Sequence, residues 1–206
     1  MSGRLAIVGA GGHGRVVADS ATELGWSVEF FDETRTGRVR DWDVVGKFAN
    51  LLQRAQEFDG VIVALGDNRT RMDCLNRLRG VSAPLVTIID PTARVSRRAM
   101  IGEGSFLAAG SIVNVAADIG AGCIINTGAS VDHDCRIGEG VHLSPGVHLS
   151  GTVEIGACSW LGTGSSVRHN IRIGANVIAG VGSVIVKDVE DGCVVIGVPA
   201  RPMEKP

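Results

Sequence analysis

The chain has 206 residues, 45% of them apolar, which suffices for a buried core and excludes a disordered or collagen-like chain. Twenty Lys and Arg stand against 22 Asp and Glu, with 11 of each sign before Pro84 and 9 against 11 after it, so neither half carries a charge block. No basic face exists for a nucleic-acid partner, and the longest apolar runs, such as Val61 to Leu65, fall far below the roughly 18 residues of a membrane span.

Leu5 to Val8 is too short for a signal-peptide core, so a cytoplasmic protein is expected. Cys74, Cys123, Cys135, Cys158 and Cys193 are odd in number and lack CxxC spacing, which suggests neither a disulfide framework nor a zinc knuckle. Glycine is the outlier, 29 of 206 residues, about twice the ordinary share. Many tight corners are implied.

Before Pro84, short apolar runs alternate with helical patterns, the signature of a parallel α/β sheet. The expected order is a strand Leu5 to Val8, a turn Gly9 to Gly14, a helix Val16 to Leu24 stopped by Gly25, and a strand Val28 to Phe31. A polar hairpin-like stretch through Gly37, a helix Phe48 to Phe58, a strand Val61 to Leu65, a helix Arg69 to Leu78 and a strand Leu85 to Ile89 follow. This reads as a small Rossmann-like domain, residues 1–86.

From 87 to 206 the period changes to six. Stepping from Ile89 through Val95, Ile101 and Leu107 to Ile185, seventeen consecutive hexads carry an aliphatic residue, shortened only at Ala179. Four places on in each hexad the residue is small or β-branched, Cys123 and Cys135 among them, and glycine often precedes it, at 104, 122, 128, 140, 146, 164 and 182. Neither a period of 2 nor one of 3.6 holds such a register. Three hexads per turn make a triangular prism of parallel strands with about 4.8 Å between coils, a hexapeptide parallel β-helix. Cys123 and Cys135 then belong to the interior packing.

Two places carry chemistry. The loop Gly9-Ala10-Gly11-Gly12-His13-Gly14 matches GxGxxG, follows a strand, opens a helix, and is followed 18 residues after its last glycine by Asp32. Such a loop aims backbone N–H groups at a diphosphate, with Asp32 placed for a ribose or base. About 80 residues hold only half a dinucleotide fold, so a mononucleotide ligand fits better; Gly66-Asp67-Asn68-Arg69 is expected on the same sheet edge. In the prism, Asn126, Thr127, Asp132, His133, Asp134, His142, Ser144 and His148 form a polar stretch. His133 stands between two aspartates, either of which can accept a ring N–H and leave the other nitrogen basic. Gly151, one 18-residue coil on, is expected to stack over His133 with its N–H exposed, a base beside an amide donor that suits attack on an acyl carbon. His142 and His148 leave adjacent faces, and His133 and His169 lie two coils, about 9.6 Å, apart, so no metal site within one subunit is expected.

These features together resemble the bacterial hexapeptide-repeat acetyltransferases of nucleotide-linked amino sugars, the group of the bacillosamine-pathway and perosamine N-acetyltransferases and the sialic-acid O-acetyltransferases. GAGGHG at the start, INTGASVDHDCRIGEGVHLSPGVHLSGTVEIG in the middle and GVPARP at the end carry the resemblance. It implies an α/β Rossmann-like N-terminal domain plus a left-handed parallel β-helix, an exception to the right-handed crossover rule. It implies acetyl-CoA as co-substrate with no metal, and a homotrimer with active sites between subunits, acting in surface glycan biosynthesis.

By position the resemblance implies His133 as base, Asp134 as its acidic partner where relatives often have Glu, and Gly151 as donor to the thioester carbonyl. Asn126 and His142 then line the acceptor and acetyl sites, and Gly180 and Val181 follow the pantetheine arm. Gly11, Gly12, His13, Asp32, Asn68 and Arg69 hold the nucleotide diphosphate. The expected reaction is direct acetyl transfer to the C4 amine of a nucleotide-linked 4-amino-4,6-dideoxy sugar, UDP-linked or of the GDP-perosamine type, without a cysteine nucleophile. Two alternatives stand beside it: a sialic-acid-type O-acetyltransferase, marked by activity on a free sugar acid, and a non-catalytic nucleotide-sugar-binding protein, marked by tolerance of His133→Ala.

Overall fold

The computed structural model describes residues 3–203, so the outermost residues of the two expected domains, 1–2 and 204–206, lie outside it. The first unit contains strand β1 (Arg4–Val8), helix α1 (Gly12–Glu23), β2 (Ser27–Phe31), β3 (Gly37–Val39) and β4 (Trp42–Gly46). Helix α2 (Phe48–Arg54), β5 (Gly60–Val63) and α3 (Asn68–Gly80) complete it. The sheet order is β3-β4-β2-β1-β5, parallel except for the hairpin β3–β4. β1 and β5 are apolar on both faces and are covered by helices on both, as parallel strands require.

Two expectations are corrected here. The polar stretch through Gly37 continues into β4, which pairs in parallel with β2; its alternating half-buried pattern is that of a strand near a sheet edge. The strand expected over Leu85 to Ile89 is divided. Leu85 bridges to Val61 in the first sheet, whereas Ile88–Ile89 pairs with Phe106–Leu107 and begins the second unit.

That second unit is a three-sided prism in which each strand pairs with the strand 18 residues on, as in Ile124↔His142 and Ser130↔His148. Face I carries the outward residues Ile88, Phe106, Ile124, His142, Trp160 and Ile178; face II carries Arg94, Ile112, Ser130, His148, Ser166 and Val184; face III carries Met100, Asp118, Arg136, Glu154 and Arg172. Every aliphatic hexad position from Ile89 to Ile185 is the inward residue of a two-residue strand, and the inward column from Leu107 to Ile185 forms one continuous core. The corners take positive φ at fourteen successive hexads from Gly104 to Gly182, eight of them glycine. Ala116, Asp134, Thr152, Cys158, Asn170 and Asn176 hold the same left-handed conformation without glycine's freedom.

The two units share a buried seam. α1 and β1 pack over the lower coils of face I, burying Ile88 and Phe106. α3 lies along the edge between faces III and I, so tightly that a Cβ on Gly140 would stand 2.5 Å from Met72 Cγ. Ser20 Oγ donates to Asp90 Oδ2 at 2.6 Å, pinning α1 to the first coil. Face I emerges from beneath the first unit at His142, Trp160 and Ile178.

Candidate active site

The glycine loop is shaped by close approach. Gly9 has φ of 100° and donates to Phe31 O at 2.8 Å, while a Cβ on Gly14 would overlap the Gly9 carbonyl. Gly11 is the N-cap of α1 without a side-chain cap, and a Cβ on Gly11 or Gly12 would meet nothing within 4 Å. The start of α1 is thus open around Gly11 and Gly12, and its first-turn N–H groups have no helical acceptor, the arrangement that receives an anion.

Asp32 has a different first task from holding a ribose. Its Oδ2 accepts from Ala10 N at 2.8 Å, and Oδ1 accepts from Thr34 N, Thr34 Oγ1 and Arg35 N at 2.9 to 3.1 Å. These bonds hold its carboxyl below the usual range against the opposing effect of burial. With about four lone-pair directions on a carboxylate, Asp32 is largely spent on tying the glycine loop at Ala10 to its own turn at Thr34 and Arg35. Asn68 is likewise buried in the seam, its Nδ2 donating to the Cys158 and Ser159 carbonyls at 3.0 and 3.2 Å. Arg69 stays at the surface and reaches Asn176 Oδ1 at 3.3 Å.

A cavity of about 620 Å³ opens between the β5–α3 loop and face I, lined by Gly66 to Arg69, His142, Cys158, Trp160, Asn176 and Ile178. His142 stacks on Trp160 with ring centroids 6.2 Å apart, and Trp160 Nε1 donates to Ser144 Oγ at 2.7 Å. His13 sits beneath, its ring edge-on to Phe106 and 6.3 Å from that of His142. Burial pushes His13 down to about 4 and His142 to about 3, each helped by the nearby Arg71 charge, so both rings are neutral near pH 7. His13 Nε2 is buried with no hydrogen-bond partner among the described residues. Asn126 Nδ2 meets His142 Nε2 at 3.1 Å.

His133 occupies the edge between faces II and III. Its Nδ1 lies 2.8 Å from Asp134 Oδ2, whereas Asp132 accepts the His133 backbone N–H at 2.9 Å and is tied to Asn114. Asp134 is thus the ring's partner. The hydrogen bond to Asp134 raises the imidazole's pKa above its usual value, with Asp132 adding charge.

Gly151 lies under the ring, as stacking required, and the residue is largely covered by it: a Cβ on it would come within 2.5 Å of His133 Nε2. The neighbouring amides of Ser150 and Thr152 donate to Val167 and His133 carbonyls. The Gly151 N–H has no such ladder partner among the described residues.

The polar stretch of sequence is distributed round the prism. Asn126, His142 and Ser144 belong to face I and its edge with face II, His148 to face II with Ser130 Oγ 2.8 Å from its Nδ1, and His133 to the edge opposite face I. Gly180 and Val181 stand on the I–II edge, three coils above Asn126, with Val181 79% exposed. One chain therefore does not bring His133 to Asn126 and His142. Cys123 and Cys135 are fully buried, and burial raises both thiols, Cys123 to about 12.

Sequence reasoning passed over Arg71, Trp160 and Asn176. Arg71 had a readable signal, a charged residue within the stripe Asn68, Met72, Leu75 and Leu78 that α3 buries. No helix among the described residues is long and apolar enough to cross a membrane.

Residues 4–78 match the family model of the PglD N-terminal domain. The chain is 40% identical to the acetyltransferase domain of PglB from Neisseria gonorrhoeae in complex with acetyl coenzyme A, covering 98% of this chain and 100% of that one with a TM-score of 0.96. The chain belongs to the hexapeptide-repeat nucleotide-sugar N-acetyltransferase family. A family member, PerB from Caulobacter crescentus in complex with CoA and GDP-perosamine, is 39% identical with 98% of each chain covered and a TM-score of 0.94. The curated UDP-N-acetylbacillosamine N-acetyltransferase of Bacillus subtilis is 39% identical over 110 residues, a match spanning about half of each chain, 51%. The family's fold is the one described above, a Rossmann-like unit followed by a left-handed parallel β-helix.

Proposed function

We propose that this enzyme transfers the acetyl group of acetyl-CoA to the C4 amine of a nucleotide-linked 4-amino-4,6-dideoxy sugar. The observation that carries the reading is the His133–Asp134 pair at 2.8 Å with the Nε2 side of the ring resting on Gly151. Asp134 accepts a hydrogen bond from the Nδ1–H, which fixes the tautomer and leaves the Nε2 lone pair as the base. The amine nitrogen attacks the thioester carbonyl as Nε2 takes its proton. Gly151 N–H stabilises the oxyanion, and coenzyme A leaves as the C–S bond breaks, the thiolate taking the proton from His133.

The acceptor belongs on face I of a neighbouring copy, because His133 stands on the opposite edge of its own prism. The first turn of α1 behind Gly11 and Gly12 receives the diphosphate. His13 Nε2, buried and without a partner among the described residues, faces the sugar beside Asn126 and His142, and Gly180 and Val181 accommodate the pantetheine arm. Such a head-to-tail contact closes into a ring, and three copies satisfy it. The relatives' names, with perosamine and bacillosamine acceptors, favour an amine over a hydroxyl.

The test supplies acetyl-CoA with UDP-, dTDP- and GDP-linked 4-amino-4,6-dideoxy sugars and reads the product by mass. One N-acetylated sugar is expected; acetylation of free sialic acid alone would replace this reading with O-acetyl transfer. Mixed trimers of His133→Ala and His142→Ala chains, reassembled in equal amounts, should regain about a quarter of the native sites. A site within one subunit would regain none.

A further inference from the structure

Arg71 leaves α3 for the seam between the two units and is 1% exposed. All five of its N–H donors are used. Nε donates to Gly122 O at 2.7 Å, Nη1 to Leu65 O and Gly66 O at 2.9 and 3.3 Å, and Nη2 to Asn68 Oδ1 and Gly140 O, both at 2.8 Å. No carboxylate is among these partners, although buried charges are ordinarily paired with opposite ones. Burial lowers the guanidinium only to about 10, so it remains a fixed positive charge at neutral pH.

Gly66, whose carbonyl accepts from Arg71, lines the same cavity as the His142 ring. Beside that ring, Asn126 Oδ1 accepts the Thr127 N–H at 2.8 Å, which turns Asn126 Nδ2 toward His142 Nε2. A donor there demands a lone pair on Nε2, so the ring proton of the neutral imidazole sits on Nδ1. The titratable groups around the ring are His13 on α1, Arg71 in the seam, and Asp67, Arg69 and Cys158 on the cavity rim.

We propose that Arg71 is a positioning residue for the acceptor side of the site, holding His142 through the Gly66 carbonyl as the neutral Nδ1–H tautomer. This rests on reading the face I cavity as the acceptor side. A neutral, oriented His142 keeps Asn126 in place and keeps a second cation away from the amine that must lose its proton. The nearby guanidinium charge opposes protonation of the ring, and the Gly66 carbonyl held by Arg71 favours the Nδ1–H tautomer.

The test compares ¹⁵N histidine spectra of the wild type, Arg71→Met and Arg71→Lys between about pH 5.5 and 8, the window in which an ordinary histidine titrates. His142 in the wild type should show the Nδ1–H pattern throughout. In Arg71→Met it should titrate or change tautomer; in Arg71→Lys, which keeps a charge but cannot span Gly66, Gly122 and Gly140, it should stay neutral with a mixed tautomer. Should Arg71→Met not fold, Arg71→Lys carries the test. Unchanged His142 signals in a folded variant would overturn the relay. In a variant whose His142 has changed state, KM for the nucleotide sugar should rise at least about tenfold with KM for acetyl-CoA unaltered; an unchanged sugar KM would overturn the positioning role. The spectra need no substrate, so an inactive wild type would count against the transferase reading and leave the relay standing.

Discussion

Gly151→Ala isolates the contact on which the proposed chemistry depends. Its φ lies outside the left-handed region, so the backbone accepts alanine, but the new Cβ would stand 2.5 Å from His133 Nε2. Ordinary carbon contacts begin near about 3.5 Å, so the imidazole must move by roughly 1 Å. The His133 side chain is 53% exposed and can swing outward, so the strain is released at the surface and not in the core. A displacement of that size costs about 10² in rate when it separates a base from its proton. The expected outcome is a kcat for coenzyme A release lower by about 10² with a melting temperature within about 2 °C of wild type, since surface changes fall within about 0.5 kcal/mol. Near-native kcat would mean that the ring over Gly151 is not the reacting group. A large loss of stability would mean that the glycine serves the coil and not the site.

Asp134→Asn removes the carboxylate that raises His133, so the acid limb of the kcat/KM profile should move to lower pH while kcat falls about tenfold or more; an unmoved limb would assign it to another group. Stability should fall in acid. His13 and His142 titrate near 6.5 when unfolded but at about 4 and about 3 when folded, so below 6.5 the unfolded chain binds more protons. The loss approaches about 2.7 kcal/mol per pH unit for the pair, or about 5 kcal/mol by about pH 4.5, and urea midpoints flat across that window would refute the buried neutral pair. Cys123→Ser should fold and turn over normally at a cost of about 1 kcal/mol or less. Its Sγ lies 3.1 Å from Gly138 O, and Ser105 and Ser159 already make the equivalent hydroxyl bonds to Gly120 and Gly174 in the same interior column. Loss of activity there would implicate the thiol.

The prism was legible because a six-residue period has one physical solution, and the same arithmetic placed His133 above Gly151 one coil away. The glycine loop was legible because its strand, turn and helix occur in order. What stayed hidden lies between elements. No period reveals that Asp32 ties the glycine loop to its own turn, that Asn68 and Arg71 are drawn into the seam, or that Trp160 and Asn176 face the β5–α3 loop. The prism also separates what the sequence sets side by side: six residues divide Asn126 from His133, yet the chain turns a corner and crosses face II between them.

The measurement that tests the central claim most directly is release of the coenzyme A thiol from acetyl-CoA by wild type and His133→Ala, with the best nucleotide-linked 4-amino sugar as acceptor. The side chain is at the surface and carries no core packing, so the variant should fold as the wild type does. Turnover by the wild type with a drop of about 10² to 10⁴ in the variant is the expected result. Equal turnover by the two proteins would contradict His133 as the base.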